Sequence, residues 1–349
     1  MLQIITGLEK AGVQFILFGD AKTWQGITPT GVTFIQLESA ASSRAMASVR
    51  NLLRIRRFLK HSPMLVHSHG VSAALTGCLA ARWAGCPSLF TAHNVMGQSS
   101  WHRHFISPIL RSSNLAIAVT SAVKQSLTLA GLRPETIEVI SNGIAHEPPP
   151  CEPCSVILKR YGLPQTRPVI LAAGRLSHEK GFDLLIQSAR QLLQSAPDVV
   201  IAVAGDGPEL GNLRTLINTL SLQESVFLLG HTTELRSLMH CVEMMVIPSR
   251  SEGQSLVALE AMDAGCPVVA FKTGGLGETL EDGKAGRLVD MNSTDALAAE
   301  ILNLHNSSED REQIILAARK HLLRTGMAAT MCERTFTVYE RLESEWRIH

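Results

Sequence analysis

The chain has 349 residues, a formal net charge of +1 and 45% hydrophobic residues. That length suits about two domains of ~100–200 residues, and the near-neutral charge excludes a global field that would gather nucleic acid. No apolar run reaches the ~18 residues of a spanning helix, and "MLQIITGLEKAG" lacks the basic start and apolar core of a signal peptide.

In chain order, "LQIITGLEKAG" reads as a helix. A doubly wound domain usually opens with a strand and a glycine turn, so both are expected to be missing ahead of this helix. Strand-length runs follow: "VQFILF", "VTFIQL", "MLVHSH", "SLFTAH", "LAIAV" and "TIEVIS", with helices over 44–60, 71–84 and 121–130. The segment "NGIAHEPPPCEPC" is Pro-rich and aperiodic, which reads as a linker. The alternation then restarts with "PVILAA", helix 181–194, "VVIAVA", helix 208–220, "VFLLG", "EMMVIP", helix 255–264 and "PVVAF". The remainder reads as helical. Strands alternating with helices predict two doubly wound α/β domains with parallel sheets and a ligand cleft between them. The expected division is 1–147, a linker at 148–167, 168–327, and a C-terminal helix over 328–349 that packs back on the first domain.

The seven cysteines are odd in number and scattered, which fits a reducing cytosol better than a disulfide framework. Cys151 and Cys154 form one CxxC, with neither the second pair of a zinc site nor the strand–helix context of a redox motif, so it reads as coincidence. No Asp-x-Asp or His/Asp cluster suggests a metal.

The helix over 44–60 carries Arg44, Arg50, Arg54, Arg56, Arg57 and Lys60 without an acid, beside Leu52, Leu53, Ile55 and Phe58. This suits either an anionic membrane surface or a solvated face. "SSWHRHF" at 99–105 could add an aromatic and basic contact. His67, His69 and His93 fall at strand ends, where a histidine serves structure or a ligand; His93 is the functional candidate because Gly97 in the loop after it allows close approach. Arg175 and Lys180 flank a loop beyond a strand and suit a diphosphate, unless either pairs with Glu179. "GDGPELG" loosely resembles a dinucleotide fingerprint, with glycines that could equally just make the turn.

The stretch "PSRSEGQSLVALEAMDAGCPVVA" holds two carboxylates. Ser255 is a plausible cap, so backbone N–H groups at 253–257 would favour an anion. Glu260 is the only charge from Leu256 to Met262, on the face of Leu256 and Val257. A buried carboxylate needs donors: two ribose hydroxyls or a distant arginine would serve. Glu252 lies outside the helix, either as an exposed loop acid or as an acceptor for a sugar hydroxyl.

"AAGRLSHEKGFDLLIQSA", "VAGDGPE", "LLGHTTELRSLM", "IPSRSEGQSLVALEAMDAGCPVVA" and "TGGLGETLEDGKAGRLV" occur in the order found in family 4 retaining glycosyltransferases of GT-B fold, which the chain resembles. The first half resembles them more loosely, through "TAHN" and "ISNGI" among others. The resemblance implies a nucleotide-sugar donor held mainly by the second domain. It places Arg175 and Lys180 on the diphosphate, Glu260 on the ribose, Glu252 beside the transferred sugar, and Gly253, Gln254, Ser255, Leu256 and Val257 along sugar and phosphate. Gly230 would border the base and His93 the reacting sugar, with no metal. Ala145 departs from a common acid, and Gln254 and Ser255 from a common Phe and Gly. The implied product is a bacterial surface polysaccharide or lipid-linked glycan, made in the cytoplasm or peripherally on the inner membrane face. Rival readings are a catalytically impaired nucleotide-sugar-binding protein and a dinucleotide-dependent oxidoreductase.

Overall fold

The computed structural model describes residues 2–9, 13–19, 32–38, 44–96 and 106–348. The chain divides into two units, one of Met1–Ala145 with Ala328–His349, the other of His146–Met327.

The first unit contains α1 (Leu2–Glu9), β1 (Ile16–Gly19), β2 (Thr33–Gln36), α2 (Arg44–His61), β3 (Val66–His69), α3 (Val71–Ala84), β4 (Ser88–Ala92), α4 (Ser107–Leu110), β5 (Leu115–Ala118), α5 (Ser121–Leu129) and β6 (Ile137–Val139). Its strands form two parallel sheets, β1-β2 and β3-β4-β5-β6. The central strands β4 and β5 are buried throughout. That is why they read as unbroken apolar runs, since both faces of a parallel sheet are covered. The expected Gly97 loop and 99–105 segment lie outside the described residues.

The second unit contains α6 (Cys154–Arg160), β7 (Val169–Ala173), α7 (Phe182–Ser195), β8 (Val200–Ala204), α8 (Leu210–Thr219), β9 (Val226–Gly230), α9 (Leu235–Met239), β10 (Met244–Ile247), α10 (Leu256–Asp263), β11 (Val268–Phe271), α11 (Leu276–Thr279), β12 (Arg287–Val289), α12 (Thr294–Asn306) and α13 (Ser308–Thr325). One six-stranded parallel sheet runs in the order β12-β11-β10-β7-β8-β9. The helix α7 buries Phe182, Leu185, Ala189 and Leu192, spaced for one face at 3.6 residues per turn. These join Ile170, Ile201, Val246 and Phe271 of the sheet in one core. The strand β12 carries no periodic signal because it is only three half-buried residues. The last helix, α14 (Ala328–Arg347), belongs to the first unit.

Two expectations are corrected. The linker expected over 148–167 contains α6, whose residues Ile157 and Leu158 are buried. The chain there is also fastened by Arg160 to Glu152 and Glu234. Pro153 precedes the helix, where a missing N–H costs nothing, so the Pro-rich run starts structure here. Cys154 forms a disulfide with Cys241, 87 residues away, while Cys151 is exposed and free. The CxxC is thus not a functional pair, but the scattered cysteines do include one cross-link. No helix among the described residues is long and apolar enough to cross a membrane.

Candidate functional site

The sheet order of the second unit sets β10 beside β7, so the loops leaving their carboxyl ends are neighbours. After β7 the chain turns at Gly174 and continues through a short 3₁₀ turn, His178–Lys180, into α7. Gly181, at φ +67°, permits this entry, and a Cβ there would strike the Pro248 carbonyl. The following loop is fastened to the same place. Arg250 donates to both carboxylate oxygens of Asp183 at 2.8 and 2.7 Å, and its backbone N–H donates to the Glu179 carbonyl at 2.7 Å.

This clamp brings Lys180 to Glu252. The ammonium donates to Glu252 Oε1 at 2.5 Å, and Ser249 donates to the same oxygen at 3.0 Å. Glu252 is buried, with 7% of its surface exposed, so it is not the exposed loop acid that its position allowed. Its carbonyl accepts from Gly275 at 3.1 Å, and Gly274, at φ +50°, leaves no room for a Cβ against it. Lys180 therefore pairs with Glu252 rather than Glu179. Arg175 stands exposed one residue past Gly174.

Ser255 caps α10, its hydroxyl accepting from the Ala258 N–H. Gly253 and Ser255 are buried and Gln254 and Val257 half-buried, whereas Leu256 is 48% exposed. The helix buries Ala258, Leu259, Ala261 and Met262, so its opposite face, with Leu256 and Glu260, is the open one. Glu260 is half-buried and accepts no hydrogen bond from a described residue. Burial raises its pKa; Arg236 opposes that shift and Glu147 adds to it. Arg236 is itself bound to Asp263 and Glu147. Arg236 thus acts on Glu260 through charge without donating a hydrogen bond to it.

Gly230 ends β9 at φ +72°, and its carbonyl accepts from Gly205 at 2.7 Å. Gly205 in turn lies against the Gly174 carbonyl, and Gly207 against that of Leu176. Gly205 and Gly207, the first two glycines of "GDGPELG", thus let adjacent strand-end loops approach closely. The second unit so gathers Arg175, Lys180, Gly230, Glu252, the start of α10 and Glu260 along its carboxyl edge, where open α/β sheets bind ligands.

His93 belongs to the first unit and is not alone. His69 Nδ1 lies 3.2 Å from His93 Nε2, and their rings stack at 5.5 Å. His67 stacks on His69 at 4.3 Å and bonds Tyr339 at 2.6 Å and Thr91 at 2.7 Å. The sequence showed three separate strand-end histidines; β3-β4 pairing sets His67 and His69 beside Leu89 and Thr91 and so assembles the row. Burial, with His93 nearby, lowers the His67 pKa to about 3, and burial lowers that of His93 to about 4. Both values lie below the ordinary ~6.5. The unfolded chain therefore binds more protons below pH ~6.5, and stability falls as pH falls through that window toward the folded values. Each such group adds a slope of up to about 1.4 kcal/mol per pH unit. Thermal melts between pH 7 and pH 4.5 should show a smaller acid loss for His67→Asn than for the parent chain. Identical pH dependence would overturn this assignment.

Helix α2 departs from its expected amphipathic use. Ile55 and Leu59 are buried and Leu52 and Phe58 pack inward, Phe58 edge-on to Phe18. The exposed apolar stripe is instead Met46, Val49 and Leu53. Arg50 pairs with Glu38 at 2.6 Å, and Arg56 lies over the Trp83 ring.

Sequence reasoning missed Ser249, Arg250, Arg236 and the His67–Tyr339 contact. Only Ser249, three residues before Glu252, offered a local signal, since the partners of Arg250, Arg236 and His67 come from other segments.

Residues 156–321 match the family described as "Glycosyl transferases group 1", and residues 1–148 match "Glycosyltransferase Family 4". The chain is 27% identical over 313 residues to alpha-maltose-1-phosphate synthase of Mycolicibacterium smegmatis, covering 80% of this chain and 79% of that one. It is 36% identical over 155 residues to the GDP-mannose-dependent alpha-(1-6)-phosphatidylinositol monomannoside mannosyltransferase of the same organism, covering 42% and 40%. In fold it matches a glycosyltransferase of Rickettsia africae with TM-score 0.82 at 20% identity, covering 98% of this chain and 93% of that one. It matches Anabaena HepE, solved with UDP, with TM-score 0.76 at 21% identity, covering 95% and 100%. The two family matches, in chain order over both units, make the chain a member of glycosyltransferase family 4, a glycosyltransferase of GT-B fold with two Rossmann-like domains.

Proposed function

We propose that the protein transfers a sugar with retention from a nucleoside-diphosphate donor held mainly by the second unit. The observation that carries this reading is Glu260: a half-buried carboxylate with a raised pKa and no hydrogen-bond donor among the described residues. Burying a carboxylate without donors costs several kcal/mol on the order of the usual desolvation penalty. The two vicinal hydroxyls of a ribose supply the missing donors. Arg175 offers a planar fork and Lys180 a point charge to the diphosphate. The first-turn N–H groups of α10 at Leu256 and Val257 have no acceptor within the helix and add to that anion site. Glu252 then stands beside the transferred sugar, and Gly230 beside the base. The similar Anabaena HepE, solved with UDP and with UDP and glucose, supports a nucleotide-sugar donor.

In the reaction, the bond between the sugar C1 and the β-phosphate oxygen breaks while the acceptor oxygen bonds C1 on the same face. The acceptor proton passes to the leaving phosphate. Charge developing on that phosphate is met by Arg175, Lys180 and the helix start, so the reading requires neither metal nor cofactor. His93, neutral at pH 7 because burial holds its pKa near about 4, serves the sugar through hydrogen bonding rather than charge.

The acceptor is a bacterial cell-surface or lipid-linked glycan. A relative named for a phosphatidylinositol mannoside supports a lipid-linked acceptor. So does the exposed stripe of Met46, Val49 and Leu53 beside Arg54 and Arg57, which suits peripheral contact with an anionic inner-membrane face from the cytoplasm. The test is thermal protection across UDP- and GDP-sugars. A saturating donor should raise the melting temperature, since a ligand at 100 times its Kd stabilises by about 2.7 kcal/mol. Protection by none of them would end the proposal.

A further inference from the structure

One turn beyond Glu260, α10 carries a cluster of charges that donor binding has so far left without a role. Asp263 lies three residues after Glu260, so the two carboxylates are neighbours along one side of the helix. Asp263 has only 7% of its side chain exposed, and it gathers three partners. Arg236 of α9 is bound to it. The His146 ring bonds its Oδ1 at 2.8 Å, and the Glu147 backbone N–H donates to its Oδ2 at 3.0 Å. The Glu147 carboxylate in turn reaches Arg236 at 3.2 Å. One guanidinium therefore joins α9, α10 and the first residues of the second unit.

This placement matters for Glu260. A guanidinium that reached Glu260 directly would fill its oxygens with a planar two-bond fork and compete with any ligand for them. Arg236 is instead engaged by Asp263 and Glu147, and it acts on Glu260 through charge. Attraction is supplied while the oxygens stay open. Burial raises the Glu260 pKa, Arg236 lowers it and Glu147 raises it. Arg236 on α9 and Glu147 ahead of α6 are thus the charges that act on Glu260 among the described residues. None comes from β10, β11 or α13, the other neighbours of α10. His240, just after α9, is held below the ordinary imidazole value by burial, so it brings no charge to the cluster at neutral pH.

We propose that Arg236 is a positioning residue for the donor: clamped by Asp263 and Glu147 beside Glu260, it keeps that carboxylate ionised with both oxygens open to the two ribose hydroxyls. Resting on the reading of Glu260 as the ribose acceptor, this role gives nucleotide affinity a pH dependence of defined sign. The carboxylate accepts from both hydroxyls, whereas the acid form presents a donor of its own. Affinity therefore falls as pH falls through the Glu260 pKa. Removing Arg236 leaves Glu260, Asp263 and Glu147 as neighbouring acids and moves that loss to higher pH. Removing the charge of Glu147 moves it to lower pH.

The test is titration of the 349-residue protein and its variants with UDP and with GDP at pH 8 and pH 5, with thermal melts at both to confirm folding. Arg236→Gln should bind close to the parent at pH 8. On passing to pH 5 it should lose about tenfold more affinity than the parent, since a nearby opposite charge is worth about one pKa unit or more. Glu147→Gln should lose less than the parent, and Arg236→Lys, which keeps the charge, should follow the parent. The titration of the nucleotide's own phosphates is common to all variants and drops out of the comparison. Arg236→Gln and Glu147→Gln break the same ion pair, so a merely structural role would move them together, and only opposite shifts support the proposal. Three results overturn it: equal loss at both pH values in Arg236→Gln, an unmoved profile in that variant, or shifts of the same sign in both. Should Arg236→Gln not fold, Glu147→Gln decides, a smaller acid loss supporting and an equal or larger one overturning. Glu260→Gln separates the two levels. If it binds as tightly as the parent, or if the parent binds neither nucleotide, the donor reading falls and takes this role with it. If it binds weakly while Arg236→Gln keeps the parent's profile, only the role of Arg236 falls.

Discussion

Replacing Glu252 with alanine should lower turnover by about 10²–10³-fold, the usual effect of losing an electrostatic group beside reacting atoms, while nucleotide affinity holds or tightens. The reason lies in the Lys180–Glu252 pair at 2.5 Å. Without the carboxylate, Lys180 is free to give its full charge to a diphosphate, so binding has nothing to lose. The folded state does lose: a partly buried ammonium and the Ser249 hydroxyl are left without their acceptor. That should cost the second unit about 1–3 kcal/mol. Glu252→Gln keeps an acceptor for both donors and should recover much of the stability but little of the turnover. Steady-state kinetics, nucleotide titration and thermal melts separate these effects. Equal losses in affinity and turnover would sink the assignment of Glu252 to the sugar.

Glu260→Ala should show the reverse pattern. Two hydrogen bonds from ribose hydroxyls to a carboxylate are worth about 3–6 kcal/mol together at about 1.5–3 each, or roughly 10²–10⁴-fold in nucleotide Kd. The free protein should be as stable as the parent or more so. In the unliganded protein Glu260 bears a desolvation penalty that Arg236 offsets only in part and that no hydrogen bond from a described residue relieves, and removing such a group relieves the fold. A variant that loses stability and binds nucleotide normally would show that Glu260 is held by Arg236 rather than serving a ligand.

Much of the second unit was legible from local pattern. The strands β7, β8, β10 and β11 are buried on both faces and read as apolar runs. Ser255 marked the start of α10 by capping chemistry alone. Glu260 stood out because a carboxylate in an apolar helix violates the expected pattern. By contrast, nothing within five residues of Lys180 named its partner, and Glu179 was the nearer acid. The histidine row was equally hidden, because its members come from β3 and from the end of β4, brought together by strand register. The Cys154–Cys241 cross-link joins segments 87 residues apart.

The sequence by itself determined most of the strands and helices in order, the Ser255 cap, the α/β class and the short stretches that carry the glycosyltransferase resemblance. Each of these depends on residues within a few turns of one another, where periodicity and capping act. Only the tertiary structure decided that Lys180 holds Glu252, that Glu260 lacks a donor, and that the first unit's sheet is split between β1 and β3. Those features depend on which strands become neighbours. Strand order is set by crossover connections and by burial of both sheet faces together, which no local window contains.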